Sequence, residues 1–243
     1  MGLRGPKPKR REVVWSPELA YAIGLIATDG CLSNDGRHIT FVSKEMEQIQ
    51  NFKKCLKLKT KVDRHRSGRK NADTIYHRVQ WSNVVLYNFL LDIGLMPNKS
   101  KVLGKLAIPD KYFLDFFRGS FDGDGCFYSY FDPRWKSSFM YYVSITSASP
   151  LHIDWLRETT HRLLGVNGHI SKMGGKDGKR SLISNLRFAK KESLIVMNAM
   201  YSTSCHIYLS RKRLKIERAL RIVGESLTVS CKGLDKVMPG WRN

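Results

Sequence analysis

Residues 116–125 decide the fold, and they read Phe-Phe-Arg-Gly-Ser-Phe-Asp-Gly-Asp-Gly. An apolar helix is predicted to run into this stretch with Gly119 on one of its faces. Because glycine weakens a helix interior, Gly119 indicates close packing against another backbone. Gly125 suits the end of the helix, and Asp124 then lies where the helix dipole disfavours a negative charge. A carboxylate in this position suits a positively charged partner such as a metal ion.

The same pattern occurs earlier, where residues 22–30 read Ala-Ile-Gly-Leu-Ile-Ala-Thr-Asp-Gly. Gly24, Asp29 and Gly30 each lie 95 positions before their counterparts in the later copy (124 − 29 for the aspartates). A constant offset of this kind indicates an internal repeat. Small residues spaced four apart share one face of each helix. The two helices are therefore expected to pack closely and to bring Asp29 beside Asp124.

The composition is that of a folded and strongly basic protein. Its 243 residues, 42% of them hydrophobic, suffice for one large domain or two small ones. Lys and Arg number 42 against 21 Asp and Glu, which gives a formal charge of +21. This balance favours a nucleic-acid partner. The alternatives are a merely soluble basic protein or one that meets an anionic membrane surface.

The sequence shows no targeting or membrane segment. No stretch approaches the ~20 apolar residues of a membrane span, and residues 1–11 lack the apolar core of a signal peptide. The five cysteines are scattered, which favours reduced thiols over a zinc site or a disulfide framework. We therefore expect an intracellular protein of the cytoplasm, nucleoid or organelle matrix, not secreted and without a membrane partner.

Hydrophobic periodicity predicts the same order of elements twice. The first unit starts with a helix at Ser16-Pro17 that ends at about Thr28, and a hairpin turn follows at residues 34–36. The first helix of the second unit is predicted from Asp110 to Phe121. A Ser149-Pro150 helix cap, a hairpin tip at 174–178 and a final basic helix at about 211–223 come later. The sequence thus predicts an α+β protein of two pseudo-symmetric αββαββα units with antiparallel sheets.

The predicted domain organisation has five parts. They are a basic N-terminal arm at 1–14, a first repeat at 15–102, a linker at 103–109, a second repeat at 110–223 and an irregular C-terminal tail at 224–243. The arm either touches phosphates or is a solvated tail.

The two motifs resemble those of the LAGLIDADG homing endonucleases, in the monomeric form with two repeats. The second copy keeps four residues of the family pattern, Gly119, Asp122, Asp124 and Gly125. The first copy departs from it, because Ala27 replaces an acid and Thr28 replaces a small residue. Neither departure touches the final aspartate. The resemblance covers about residues 12–222.

This resemblance implies a fold in which two antiparallel sheets form a DNA-binding saddle, with the two motif helices packed at its centre. It implies a site-specific double-strand DNA endonuclease that hydrolyses one phosphodiester on each strand with Mg²⁺, for which Mn²⁺ can substitute. The family resides in introns or inteins and spreads them, so the protein's own intron RNA is a further candidate partner. Because the two units differ, the DNA target is expected to be long and asymmetric.

The resemblance also assigns the metal to Asp29 and Asp124, one carboxylate for each strand. The backbone carbonyls of Thr28 and Gly123 are expected to assist. Mg²⁺ prefers a few carboxylates and keeps several waters, and a divalent metal activates the attacking water. A single Asp-Gly would be read as a turn, but the duplicated pair favours a metal site. Asp122 has no acidic counterpart, and we predict a helix-stabilising or interface role for it.

Three lysines are further catalytic candidates, because family members place basic residues around the cleavage centre. Lys99 and Lys212 each follow the third helix of a unit, and Lys44, after the second strand, is a weaker candidate. Such a lysine stabilises charge at phosphorus or polarises the water. The alternative is an ordinary phosphate contact or a solvated lysine. Since no basic residue matches Lys44 near Ser147, the two half-sites are expected to be chemically unequal.

Alternate strand residues are predicted to read DNA from the sheet faces. A β-ribbon fits the major groove, where Arg pairs with guanine and Asn or Gln with adenine, although many contacts will go to phosphates. The candidates in the first unit are Ser33, Arg37, His38, Thr40, Arg64, Arg66, Tyr76, Arg78 and Gln80. Those in the second unit are Tyr128, Tyr130, Lys172, Asn185 and Arg187. For each residue, an exposed polar position without a DNA contact is the alternative.

Two other functions fit the same fold. One is a maturase, an RNA-binding cofactor of intron splicing, and the other is a DNA-binding regulator with a degenerate nuclease fold. Retention of both Asp29 and Asp124 leans against the maturase, because RNA binding does not need a metal pair. Loss of one acid would support the regulator, and neither is lost.

Overall fold

The computed structural model describes residues 12–66, 75–174, 182–201 and 207–227. The first repeat consists of α1 (Pro17–Asp29), β1 (Gly30–Leu32), β2 (His38–Ser43), α2 (Met46–Cys55), β3 (Asp63–Arg66), β4 (Ile75–Ser82) and α3 (Val84–Asp92). A short 3-10 turn at Lys99–Lys101 follows. The second repeat consists of α4 (Asp110–Asp124), β5 (Gly125–Phe131), β6 (Phe139–Ser147), α5 (Pro150–Leu164), β7 (His169–Met173), β8 (Ile183–Ala189), α6 (Lys190–Met200) and α7 (Ser210–Ile222). Most of the predicted hairpin tip at 174–178 lies outside the described residues.

Each repeat forms one four-stranded antiparallel sheet, and the two sheets have the same topology. Their strand orders are β1-β2-β4-β3 and β5-β6-β8-β7. Along β2, Ile39 and Phe41 are buried, whereas His38 and Thr40 are partly exposed. This alternation packs one face of the sheet against helices and leaves the other open. The predicted α+β fold with αββαββα given twice is confirmed.

The motif helices α1 and α4 pack along each other more extensively than any other pair of described elements. A Cβ atom added at Gly24 would lie 2.2 Å from the carbonyl oxygen of Phe116, and one at Gly119 would lie 2.1 Å from that of Tyr21. Only glycine allows two helix backbones to approach this closely. The small-residue pattern predicted this contact, and the structure confirms it.

The ends of the motif helices differ from the prediction. Helix α4 continues three residues beyond Phe121, to Asp124, and α1 runs to Asp29. Gly125 does not adopt the left-handed conformation that commonly ends a helix, because its φ is −78°. A Cβ at Gly125 would instead lie 2.5 Å from the carbonyl oxygen of Phe121. Lack of space, rather than backbone freedom, thus requires glycine here.

The predicted helix starts are correct in position, with one difference in chemistry. The hydroxyl of Ser16 accepts a hydrogen bond from the backbone NH of Leu19 (3.1 Å) and caps α1. Ser149 precedes α5 but makes no such bond with its own helix. Its hydroxyl donates to the carbonyl oxygen of Leu103 (2.5 Å) instead. Among the described helices, none is both long and apolar enough to cross a membrane.

Candidate metal and nucleic-acid site

The carboxylates of Asp29 and Asp124 lie at the adjoining C-terminal ends of α1 and α4. A Cβ at Gly123 would lie 3.1 Å from Oδ2 of Asp29 and 2.0 Å from Oγ1 of Thr28, so glycine at 123 makes this proximity feasible. Both aspartates reach the surface. Within the described residues, neither carboxylate group makes a hydrogen bond or an ion pair. Two unpaired carboxylates at the ends of two touching helices could hold a cation, and the metal site stays a prediction.

The electrostatics of this pair are those of two crowded like charges. Desolvation by the surrounding protein, and then the charge of Asp124, raise the pKa of Asp29 to about 6. The pKa of Asp124 is also raised, chiefly by desolvation. The positive charges of Lys99 and Lys212 oppose both shifts. The pair therefore carries unfavourable charge that a bound cation would relieve.

Lys212 and Lys99 are buried beneath the carboxylates rather than exposed to solvent. Each has only 6% of its surface exposed. The Nζ of Lys212 donates to the carbonyl oxygens of Phe121 (2.5 Å), Asp122 (2.9 Å) and Gly125 (2.7 Å). The Nζ of Lys99 donates to the carbonyl oxygen of Gly30. The two lysines thus satisfy carbonyls at the C-terminal ends of the motif helices, where the helix dipole favours a cation.

Burial lowers the pKa of both lysines, although nearby acidic groups counteract the shift. Lys44 lies elsewhere. It is exposed, with its Nζ 5.3 Å from the ring centre of Tyr76, and it is not among the charges that shift the pKa of either motif aspartate. The structure therefore brings Lys99 and Lys212 to the carboxylates but leaves Lys44 on the sheet.

Asp122 is buried and joins three elements instead of facing the site. Its Oδ2 accepts hydrogen bonds from the hydroxyl of Tyr21 (2.7 Å) and the backbone NH of Leu209 (2.9 Å). Burial raises its pKa to about 6, against the effect of these hydrogen bonds. These contacts with Tyr21 and Leu209 agree with the interface role predicted for Asp122. The hydroxyl of Thr28 is likewise turned into its own helix, where it donates to the carbonyl oxygen of Leu25 (3.0 Å).

The first sheet brings most, but not all, of its predicted DNA-binding residues onto one open face. The register pairs Thr40 with Gln80, and residues paired directly across two strands point to the same side. His38, Tyr76 and Arg78 follow the same alternation and share this face. The other predicted residues of this repeat, which are not part of this group, are Ser33, Arg37, Arg64 and Arg66.

Arg64 pairs with His77, which alternates with Arg78 along β4. Arg64 therefore lies on the opposite face, and it does not join the group predicted from the sequence. The backbone of Arg66 pairs with Ile75 in the same strand pair. Ser33 and Arg37 flank the hairpin turn, where the carbonyl oxygen of Ser33 accepts a hydrogen bond from the hydroxyl of Tyr87 (2.5 Å).

The second sheet shows the same kind of difference. Thr146 pairs with Asn185 and Ser144 with Arg187, so Asn185 and Arg187 are on the open face. Lys172 pairs with Ser184, which is buried, and this places Lys172 on the packed side. Because the register of a strand decides which of its residues share a face, Lys172 does not join Asn185 and Arg187.

Tyr142 is a member of the open face that sequence reasoning missed. Its ring stacks on those of Tyr128 (4.9 Å between centres) and Tyr130 (6.1 Å). The guanidinium of Arg187 lies 5.2 Å from the centre of the same ring. The alternation of polar residues with Val143 and Ile145 at the end of this strand, which reads Tyr-Val-Ser-Ile-Thr over residues 142–146, is the signal that could have found it. The ring hydroxyls and the guanidinium on this face are suited to hydrogen bonds with the phosphates and base edges of a duplex.

Helix α7 adds positive charge next to Asp124, which the sequence indicated only as a basic helix. Arg211, Lys215 and Asp124 line a surface cavity of about 310 Å³. Lys215 also donates to the carbonyl oxygen of Phe127 (2.7 Å). The edge strand β5 is thus covered by a helix whose basic side chains border the candidate site.

No protein-family model matches the sequence, and comparison with curated proteins finds no match. Solved structures are similar in fold. The N-terminal LAGLIDADG domain of DUF199/WhiA has a TM-score of 0.52 and 18% identity, over 84% of this chain and 88% of that one. Full-length DUF199/WhiA from Thermotoga maritima has a TM-score of 0.52 and 16% identity; the match covers 88% of this chain but only 63% of that longer protein.

A LAGLIDADG homing endonuclease, I-GzeII in complex with its DNA target, matches over 94% of this chain and 99% of its own length. Its TM-score is 0.50 and its sequence identity is 10%. Identities this low show a shared fold and leave activity open, and the fold occurs both in an endonuclease and in WhiA. The sequence motifs, the twin sheets and these similarities agree: the chain has the LAGLIDADG fold in its single-chain, two-repeat form.

Proposed function

We propose that this protein is a site-specific double-strand DNA endonuclease that uses a divalent metal ion. One observation carries the proposal: two unpaired carboxylates, Asp29 and Asp124, lie at the adjoining ends of α1 and α4, where the charges of the buried Lys99 and Lys212 act on both. A protein that only binds nucleic acid gains nothing from crowding two like charges at this point. The open sheet faces on either side supply the surface for a long DNA duplex.

The residues present fit Mg²⁺. This ion usually binds one or two carboxylates and fills its remaining positions with water and phosphate oxygens. Asp29 and Asp124 would hold it, and the backbone carbonyls of Thr28 and Gly123 are proposed to assist, although that of Gly123 also accepts a hydrogen bond from Nζ of Lys212 (3.3 Å). Across the described part of the chain, no group of three or more His, Cys, Asp or Glu side chains could hold a metal ion. When bound, the metal would activate water for attack on phosphorus.

The chain's own residues have separate tasks. The carboxylates bind and orient, and Lys99 and Lys212 keep positive charge close to the place where charge develops at phosphorus. The stacked tyrosines and Arg187 contact one part of the duplex, and the polar face of the first sheet contacts another. Because one chain supplies both carboxylates and both sheets, a monomer suffices, and its unlike halves favour an asymmetric target.

Cleavage of randomised duplex DNA in Mg²⁺ tests the proposal, with the Asp29→Asn/Asp124→Asn double variant as the control. Asparagine keeps the shape of the side chain but loses the charge, so the variant should bind DNA and fail to cut it. Staggered cuts in a long asymmetric site, absent in the variant, are the expected result. Tight binding without cutting by the unmodified protein, in Mg²⁺ and Mn²⁺ alike, would instead favour a maturase for its own intron RNA or a DNA-binding regulator.

A further inference from the structure

The segment that carries Lys212 is held by the other repeat. We call residues 207–212 the second lysine segment. Oε1 of Glu47 accepts a hydrogen bond from the backbone NH of Ser210 (3.0 Å), and Nδ2 of Asn51 donates to the carbonyl oxygen of Tyr208 (2.8 Å). Both side chains belong to α2, in the first repeat. Helix α2 thus adds bonds from the first repeat to those that Asp122 and Arg118 of the second repeat make with the backbone of Leu209 (2.9 Å) and Ile207 (2.9 Å).

The segment that carries Lys99 is held in the same crossed manner. We call residues 99–104 the first lysine segment. The hydroxyl of Ser149 donates to the carbonyl oxygen of Leu103 (2.5 Å), and Nδ1 of His152 donates to that of Gly104 (3.0 Å). Ser149 and His152 are buried and lie at the start of α5, in the second repeat. The backbone NH of Leu103 bonds in turn to the carbonyl oxygen of Lys99 (2.8 Å).

The two sets of contacts arise at equivalent places. Glu45 and Ser149 both stand at the N-cap of the second helix in their repeats, and Nε of Arg211 donates to Oε1 of Glu45 (2.7 Å). A further residue of α2, Gln48, bonds to a carbonyl oxygen that Lys212 also contacts. Nε2 of Gln48 donates to the carbonyl oxygen of Asp122 (3.0 Å), which also accepts from Nζ of Lys212 (2.9 Å).

We propose that α2 positions Lys212 and α5 positions Lys99, so that each half of the site depends on the opposite repeat. Glu47, Asn51 and Ser149 are then positioning residues, because they touch backbone and not the reacting groups. The inference rests on the proposed function for its consequence in cleavage, but the crossed dependence of the two lysines is a property of the folded protein alone. It can therefore be measured with and without DNA.

The measurement without DNA is acetylation of the folded protein by N-acetoxysuccinimide, followed by digestion and mass spectrometry of the peptides that carry Lys99 and Lys212. Because both lysines are almost fully buried, labelling requires local opening. The Glu47→Ala/Asn51→Ala variant should raise the labelling rate of Lys212 about tenfold or more, the effect of losing the three hydrogen bonds that these side chains make with Ser210 and Tyr208, and leave that of Lys99 unchanged. Ser149→Ala should raise the labelling rate of Lys99 and leave that of Lys212 unchanged.

A matched control is Glu158→Ala, which removes an exposed carboxylate from α5 and should leave both labelling rates unchanged. If the α2 variant raised the labelling of Lys99 and Lys212 together, it would have loosened the whole protein, and the proposal would be wrong. An unchanged rate at Lys212 would also overturn it. Neither outcome requires that the protein cuts DNA.

The measurement with DNA follows the nicking rate of each strand separately. The Glu47→Ala/Asn51→Ala variant should slow one strand about tenfold or more, since small misplacements of an active-site group are costly. That strand should be the one that Lys212→Met impairs, although α2 belongs to the first repeat. Ser149→Ala should slow the strand that Lys99→Met impairs.

The two measurements separate the two proposals. If the α2 variant raised the labelling of Lys212 alone and Ser149→Ala raised that of Lys99 alone, while the unmodified protein did not cut DNA, the crossed positioning would hold and the endonuclease proposal would be wrong. If the unmodified protein cut DNA, but each variant slowed both strands equally and did not raise the labelling of its assigned lysine alone, the endonuclease proposal would hold and the crossed positioning would be wrong.

Discussion

The residues of the candidate site divide into those that face solvent and those that hold them. Asp29 and Asp124 reach the surface without a partner, whereas Lys99, Lys212 and Asp122 are buried and hydrogen-bonded to the backbone or to Tyr21. A buried charge is tolerated when it is hydrogen-bonded. The two lysines meet this condition by binding carbonyls, which leaves the carboxylates free of direct ion pairs.

The juxtaposition of the two aspartates was predictable, and the burial of the lysines was not. Glycines at a constant offset require two backbones to touch, and this places the helix ends together. Nothing in the sequence around Lys212 shows that its ammonium group turns inward to Phe121 and Gly125, because that depends on where α7 docks. The metal and DNA roles of these residues stay predictions.

At the residue scale, His152 makes stability depend on pH. Burial lowers its pKa from 6.5 to about 4, so between these values the unfolded chain binds a proton that the folded chain rejects. This contribution to stability is complete above pH 6.5 and is lost as the pH falls towards 4. At pH 5 the loss amounts to about 2 kcal/mol relative to pH 7.

Urea unfolding at pH 7 and pH 5, for the unmodified protein and for His152→Asn, measures this term. Asparagine keeps a donor for the carbonyl oxygen of Gly104 but does not titrate. Other groups change equally in both proteins, so the difference between the two pH dependences isolates the histidine. An equally large loss of stability on acidification in His152→Asn would contradict the assignment.

At the scale of elements, hydrophobic period and turn residues were enough to predict the order of helices and strands. The sheet faces were predictable where a strand alternates clearly, as β2 does. Errors fell on Arg64 and Lys172, in the short edge strands β3 and β7. Polar residues occupy both faces of these strands, so their register is fixed by pairing with β4 and β8 and not by their own pattern.

The contact between α1 and α4 is the element-scale feature most sensitive to mutation. Gly119→Ala would place a methyl group 2.1 Å from the carbonyl oxygen of Tyr21, where no rotamer change can relieve the clash. We expect a loss of about 3 kcal/mol or more in the free energy of unfolding, even though alanine favours an isolated helix by about 1 kcal/mol.

Gly104→Ala is the matched control for this substitution, because nothing lies within 4 Å of the added atom. Its free energy of unfolding should stay close to that of the unmodified protein. Similar destabilisation by both substitutions, measured by urea titration at neutral pH, would mean that the close helix contact is not the cause of the loss at Gly119.

At the scale of the whole molecule, a formal charge of +21 is combined with two sheets whose open faces lie opposite their helices. Neutralising phosphates releases counterions, so the affinity for duplex DNA should fall steeply with salt. With about 6 to 10 phosphate contacts, the association constant should drop by roughly 10³ to 10⁵ between 50 and 200 mM salt. Fluorescence anisotropy with a labelled duplex, in Ca²⁺ or without metal to prevent cutting, gives the slope.

Two lysines show whether this dependence arises at the sheet faces. Lys44 is exposed beside Tyr76 on the open face, whereas Lys54 is exposed on α2, in the helix layer. Lys44→Gln should reduce the slope of the logarithm of affinity against the logarithm of salt concentration by about 1, and Lys54→Gln should not change it. Equal effects of the two substitutions would mean that the net charge, and not the open sheet face, attracts the duplex. If the affinity of the unmodified protein for duplex DNA did not change with salt, the prediction of a phosphate-rich interface would be wrong.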